Sequence, residues 1–136
     1  MQRRLFVSMA LLLLVQGAIF SCAPFKKQTR EELLYQQSAE YHKNMRWKRL
    51  QGAVVFVSAE KRADFLNEFR DRIDDLDIDD WEIEHLEFEG EAPKYTAATI
   101  SIIRYQVEAP SVTRRKVAVE QRWEYQEPNW VLVEGY

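Results

Sequence analysis

A single cysteine, Cys22, stands in the whole chain, so no disulfide can close within it and no pair of thiols can hold a metal ion. Histidine is scarce too: His42 and His85 are the two present. The four glycines are scattered and build no Gly-rich phosphate loop. A serine-nucleophile motif, a His/Cys metal spacing, an internal repeat and a low-complexity block are all missing, so the sequence points to no cofactor. The one long apolar run, residues 5–15, is short for a membrane span, which needs about 20 mostly apolar residues.

That run has a different use. Met1-Gln2-Arg3-Arg4 places positive charge ahead of it, Leu11 to Leu14 form its greasy centre, and Gln16-Gly17 break it. Charge, then an apolar stretch, then small or polar residues is the order of a secretory signal. Ile19-Phe20-Ser21-Cys22 follows: an aliphatic residue, a free position, a small residue and the chain's one cysteine. These four residues resemble the lipobox of bacterial lipoproteins. The resemblance implies that signal peptidase II removes residues 1–21 and that Cys22, bearing diacylglycerol and a palmitate-type acyl chain, becomes the first residue of the mature protein. The bland alternative is an ordinary signal cut elsewhere, with Cys22 an incidental thiol. Ala23, rather than aspartate, follows the cysteine, and this implies the outer membrane, on its periplasmic side.

Loss of Arg3 and Arg4 with the signal leaves 17 basic against 22 acidic side chains. An acidic surface repels phosphate backbones, which argues against a nucleic-acid partner. It also offers anionic lipid no general attraction, so attachment to the membrane rests on acyl chains at Cys22. Residues 22–29 read as a short lipidated tether and residues 30–136 as one small domain.

Thr29-Arg30-Glu31-Glu32 has the pattern of a capping box, so a first helix is expected from about Arg30 to Asn44. Its apolar stripe contains Leu34, Ser38, Tyr41 and Met45, with His42 half-buried beside it. A shorter helix is expected from about Trp47 to Phe56, with a strand over Val54-Val55-Phe56-Val57 as the alternative. Ser58 reads as the N-cap of a third helix reaching Arg72, with Ala59, Ala63, Leu66, Phe69 and Ile73 inward.

Beyond Asp71 the apolar period becomes two. Trp81 and Ile83 alternate with glutamates, as do Leu86 and Phe88, and the slip of phase at His85 predicts a bulge. Turns at Gly90 to Pro93, Glu108 to Ser111 and Gln126 to Asn129 then separate three more strands, over about 95–107, 112–125 and 130–133. Helices followed by a meander give an α+β domain: an N-terminal signal helix, then two to three helices packed on a four-stranded antiparallel sheet. Element order and lengths resemble the nuclear transport factor 2-like, or cystatin-like, cone fold. That resemblance implies a curved sheet with helices across its concave face, used by isomerases, dehydratases, binding proteins and envelope scaffolds alike.

Asp75, Asp77 and Asp79 have the spacing of calcium ligands, but Asp80 occupies the glycine position and Leu86 the place of the bidentate glutamate. The stretch reads better as a solvated strand start with Leu76 and Ile78 inward. A catalytic cone would need a base and a polarising hydroxyl facing one another, such as His85 or an inward aspartate with Tyr41 or Tyr105. Nothing in the spacing pairs them, so no catalytic residue is assigned. Tyr41, His85, Tyr105 and Trp123 are the candidates for lining a pocket. The wider set of Trp81, Tyr95, Tyr105, Trp123, Tyr125 and Trp130 fits a core under the helices. Arg114-Arg115-Lys116 is expected to face the acidic rows of the first strand. The functional reading is a membrane-tethered envelope lipoprotein with a non-catalytic interaction domain, binding another envelope protein. The alternatives are a small-molecule or lipid-binding cone, or an isomerase-like or dehydratase-like enzyme.

Overall fold

Helix α1, Arg30–Arg46, begins where the capping box places it. The Thr29 hydroxyl accepts from Glu32 N–H at 3.1 Å, and the Glu32 carboxylate accepts from Thr29 N–H at 3.0 Å. The computed structural model describes residues 26–108 and 112–136, so the segment expected to be a signal, residues 1–21, and Cys22 lie outside the described residues. The buried stripe of α1 is Leu34, Ser38, Tyr41, His42 and Met45. His42, expected to be half-buried, is 1% exposed.

The chain leaves α1 through Trp47 and Lys48, the latter in the left-handed region at φ 56°. Helix α2 is short, Leu50–Ala53, and continues as a 3-10 turn over Val54–Phe56. It therefore starts three residues later than the sequence pattern predicts, and Trp47 is 64% exposed instead of inward. Val54 to Phe56 is helical, not a strand; the strand tendency survives only as one parallel bridge between Val57 and Leu132. A 3-10 turn, Ala59–Lys61, precedes helix α3, Arg62–Arg70. Ser58 makes no side-chain cap bond to that turn. Ala59 and Ala63, expected inward, are exposed, while Phe65 and Phe69 are buried. The 3-10 turn explains the change of phase: at three residues per turn it rotates the following helix away from an uninterrupted 3.6-residue repeat.

Strands β1 (Ile78–Glu89), β2 (Ala97–Glu108), β3 (Thr113–Gln126) and β4 (Asn129–Glu134) form one antiparallel sheet in sequence order. The register slips between Ile83 and His85, which is the expected bulge. Because of it, Trp81, Ile83, Leu86 and Phe88 all turn inward although their spacing changes parity. The inward rows then read across β1, β2 and β3 as Trp81–Arg104–Val117, Ile83–Ile102–Val119, Leu86–Ile100–Gln121 and Phe88–Ala98–Trp123.

The helices cover this face, and the core is where they meet it: Leu34, Tyr41, Phe65, Phe69, Ile100, Trp123, Trp130 and Leu132 are all buried. Burying each large apolar side chain contributes about 1.5–3 kcal/mol. Polar ties fix α1 on the sheet ends. The Gln37 amide accepts from Trp130 N–H at 2.8 Å and donates to Asn129 Oδ1 at 3.0 Å. Arg30 donates to the Tyr95 carbonyl at 2.7 Å, with its guanidinium 3.8 Å above the Tyr125 ring.

Candidate functional site

Two polar side chains interrupt the apolar inner rows of the sheet: Gln121 on β3 and Arg104 on β2. Both face α1. Gln121 Oε1 lies 3.1 Å from His42 Nε2 and accepts from Trp123 Nε1 at 3.3 Å, while its Nε2 donates to the Gly135 carbonyl at 3.1 Å. An indole N–H can only donate and a carbonyl can only accept, so these two neighbours fix which way the Gln121 amide points. The proton in the His42 contact therefore sits on His42 Nε2. His42 is also stacked on Trp81, with ring centroids 4.8 Å apart and planes 27° apart, and Tyr41 meets its ring edge-on at 5.0 Å.

This cage sets the chemistry of His42. Burial, and then the positive charge of Arg104, pull its pKa down to about 3, against the opposing pull of the Gln121 contact. The imidazole is neutral at physiological pH. Burial also holds the Tyr41 hydroxyl well above its ordinary range, with Arg104 working in the other direction. Tyr41 and Arg104 bear on one another's ionisation through charge and a side-chain contact, yet neither the Tyr41 hydroxyl nor Arg104 Nε or Nη2 has a partner of full hydrogen-bond geometry, and the Ser38 hydroxyl is buried without one too.

Of the four residues expected to line a pocket, two come together and two do not. Tyr41 and Trp123 meet inside the domain, edge to face at 6.1 Å. Tyr105 lies on the opposite face of the sheet from Arg104, one residue along β2, and His85 is exposed at the bulge. The Tyr105 hydroxyl donates to Glu82 at 2.6 Å, and the guanidinium of Arg114 covers its ring at 4.1 Å. His85 and Tyr41 thus have a sheet between them. The parity of β2 and the bulge in β1 decide this, and neither can be read from the composition of the set.

The conspicuous charge clusters resolve into surface pairs. Asp77 meets Lys48 at 2.7 Å, Asp79 meets Arg114 at 2.9 Å, and Asp80 accepts from Trp81 N–H at 2.9 Å. Among the described residues no group of three or more His, Cys, Asp or Glu side chains is placed to hold a metal ion. Arg122 and Glu89 make a two-point contact, at 2.6 and 3.2 Å, across the outer face. Of the wider aromatic set, Trp123 and Trp130 are buried; Trp81, Tyr95 and Tyr125 pack half-buried against the core, and Tyr105 does not join it.

Gln121 and Arg104 are not among the residues that the sequence pattern singles out. The signal was there: each stands at the inward parity of a strand whose other inward residues, Val117, Val119 and Trp123 or Ala98, Ile100 and Ile102, are apolar.

No protein-family model matches the chain, and no curated protein matches it. Solved structures do. A SEC-C motif containing protein from Rhodopseudomonas palustris, solved in solution, superposes with a TM-score of 0.59 at 16% identity, over 79% of this chain and 77% of that one. A protein of unknown function with a cystatin-like fold, from Nostoc punctiforme, superposes with a TM-score of 0.57 at 10% identity, over 76% of this chain and 85% of that one. At these identities the likeness establishes the fold, and the fold is the cystatin-like α+β cone that the order of elements implied.

Proposed function

We propose that this chain is a cell-envelope lipoprotein, anchored through acylated Cys22, whose cone domain works by binding and not by catalysis. Its partner is another envelope protein, met at the periplasmic surface of the outer membrane. The observation that carries the binding half is the state of His42. A general base works best with a pKa near the operating pH. His42 is pinned by Gln121 and Trp81 with its pKa at about 3, so it does not cycle protons near neutrality. His85, the other histidine, sits exposed on the far side of the sheet from Tyr41.

The anchoring half rests on the lipobox-like residues Ile19 to Cys22 and on the distance to the fold. Helix α1 is capped by Thr29, and seven residues of extended chain reach at most about 25 Å. The domain is therefore held at the membrane surface. A second reading, a small-molecule-binding cone, is favoured by one observation: the unpaired polar atoms of Arg104 and Tyr41 in the interior.

The test is a mass and a phenotype. Intact-mass measurement of the mature protein is expected to find diacylated Cys22 as its first residue; an unmodified N-terminus elsewhere refutes the anchor. At equal abundance by immunoblot, His85→Ala retains the function whose loss a deletion of the gene reveals, and Cys22→Ser loses it. A folded, correctly located His85→Ala protein that behaves like the deletion refutes the non-catalytic reading.

A further inference from the structure

Arg104 is 5% exposed, on the inward face of β2 between Trp81 of β1 and Val117 of β3. An arginine keeps its charge in a protein, since its guanidinium does not give up a proton in the accessible range. A buried cation needs an anion, because the desolvation of an unpaired ion is not recovered by packing. Among the described residues no carboxylate pairs with Arg104, and its Nε and Nη2 have no acceptor. Residues 1–25 and 109–111, outside the description, contain no aspartate or glutamate; Glu108, four residues along β2 from Arg104, is the one carboxylate whose side chain is not described, and the test below includes it. A water molecule could accept from either N–H but could not offset the charge.

The two unpartnered atoms are informative as a pair. Nε and Nη2 lie on one edge of the guanidinium, with parallel N–H bonds at the spacing of two carboxylate oxygens. The Tyr41 hydroxyl, also buried and unpartnered, is close enough for its ionisation to respond to Arg104, and supplies one more donor. Trp81, Val117 and His42, stacked on Trp81, are the apolar or neutral neighbours, while Glu68 of α3 bears on the Tyr41 hydroxyl by its charge. One fixed cation and one phenol suit a single negative charge. A phosphate dianion would bring a second charge and a third strong acceptor oxygen, more than one guanidinium edge and one phenol can meet.

The geometry points to a binding site at Arg104 for a small organic monocarboxylate, its carboxylate gripped side-on by Nε and Nη2 and bonded by Tyr41, its apolar body against Trp81 and the inner face of the sheet. This inference rests on the second reading above, the ligand-binding cone. It is independent of the anchor, so a failure of lipidation at Cys22 leaves it standing.

Calorimetric titration of the full chain in detergent tests it, with phenylacetate and hexanoate as probes and inorganic phosphate as the control anion. Saturable binding of either acid, without binding of phosphate, is expected. Arg104→Met should weaken that binding at least about tenfold, the factor that 1.4 kcal/mol represents. Tyr41→Phe keeps the ring and should weaken it less. Arg104→Met should also melt no lower than the unliganded parent, since it removes an uncompensated charge. Arg104→Lys, which retains the charge but not the fork, covers the case in which the methionine variant misfolds: it too should bind more weakly. Absence of binding by both acids overturns the proposal, as does equal binding of phosphate or unchanged affinity in Arg104→Met and Arg104→Lys. Arg104→Met and Glu108→Gln that each lower the melting temperature, with no further loss in the double variant, would show an internal ion pair and overturn it as well.

Discussion

Acidification should destabilise this fold well before its carboxylates titrate, and His42 is the reason. Its pKa is about 3 in the folded protein against an ordinary value of 6.5. Between those values the unfolded chain binds a proton that the folded chain refuses. Stability therefore rises with pH through this window: it is complete above about pH 6.5 and lost progressively as pH falls toward 3. Each full unit inside the window costs about 1.4 kcal/mol, so lowering the pH from about 7 to about 5 removes about 2 kcal/mol. That is a large share of the 5–15 kcal/mol typical of a small domain.

The structure says why the proton is refused. Burial strips the imidazolium of its hydration, and Arg104 already places one positive charge nearby; the Nε2–H bond to Gln121 favours the charged ring but does not offset them. Glu32, lowered chiefly by its bond from the Thr29 backbone, and Glu89, lowered by Arg122, act in the same direction only below the ordinary carboxylate range. The interval above pH 5 thus isolates His42 from them. Urea midpoints across that interval measure the loss, and the imidazole NMR signals report the protonation directly. In Arg104→Met the repulsion is gone, so the transition should move to higher pH. An unchanged urea midpoint between about pH 7 and about pH 5, or a His42 ring already protonated at about pH 6, would show the reasoning to be wrong.

Three further substitutions probe the same interior. Gln121→Leu leaves His42 Nε2–H, Trp123 Nε1–H and the Gly135 carbonyl without partners; at about 1–3 kcal/mol for each orphaned group, a loss of at least about 3 kcal/mol in urea unfolding is expected, and one below about 1 kcal/mol would count against the network. Gly135 adopts φ 78°, and a Cβ there would run into the backbone carbonyl of Glu120. Gly135→Ala should therefore cost about 1–3 kcal/mol by thermal melting, whereas an unchanged melt would mean that β3 and the C-terminus are not held together as described. His85→Ala touches an exposed bulge position, and its stability should stay within about 0.5 kcal/mol of the parent by the same assay.

Local signals were legible where local physics decides. Thr29 and Glu32 satisfy backbone groups three residues away, so the start of α1 is written in four residues. The bulge near His85 shows in the sequence because burial forces a change of apolar phase when a strand gains a residue. The second helix and the start of the third depart from the helical repeat where 3-10 turns intervene. Val54–Phe56 and Ala59–Lys61 break the 3.6-residue repeat, and nothing in their side chains announces a tighter turn. Trp47 looked like core because its spacing to Leu50 and Val54 was helical, yet the helix that would have turned it inward begins only at Leu50.

The candidate site was harder to read because charge density is a poor guide to cost. Six aspartates between Asp71 and Asp80, and three basic residues from Arg114 to Lys116, dominate the polar pattern. On the surface such groups pair loosely, as Asp79 does with Arg114 at 2.9 Å, and exposed pairs contribute at most about 1 kcal/mol. Arg104 and Gln121 are single polar residues among valines, isoleucines and tryptophans, and in sequence they look incidental. Their positions reverse the weighting. An exposed charge left alone costs almost nothing, whereas a buried one must find a counter-charge or be retained for a ligand that brings it. Gln121 finds its partners within the fold: His42, Trp123 and Gly135 use both ends of its amide. Arg104 does not, and its two unbonded nitrogens lie along the edge that a carboxylate would take. The rarest polar residue on an inward strand face therefore says more about what this cone does than the densest cluster on its outside.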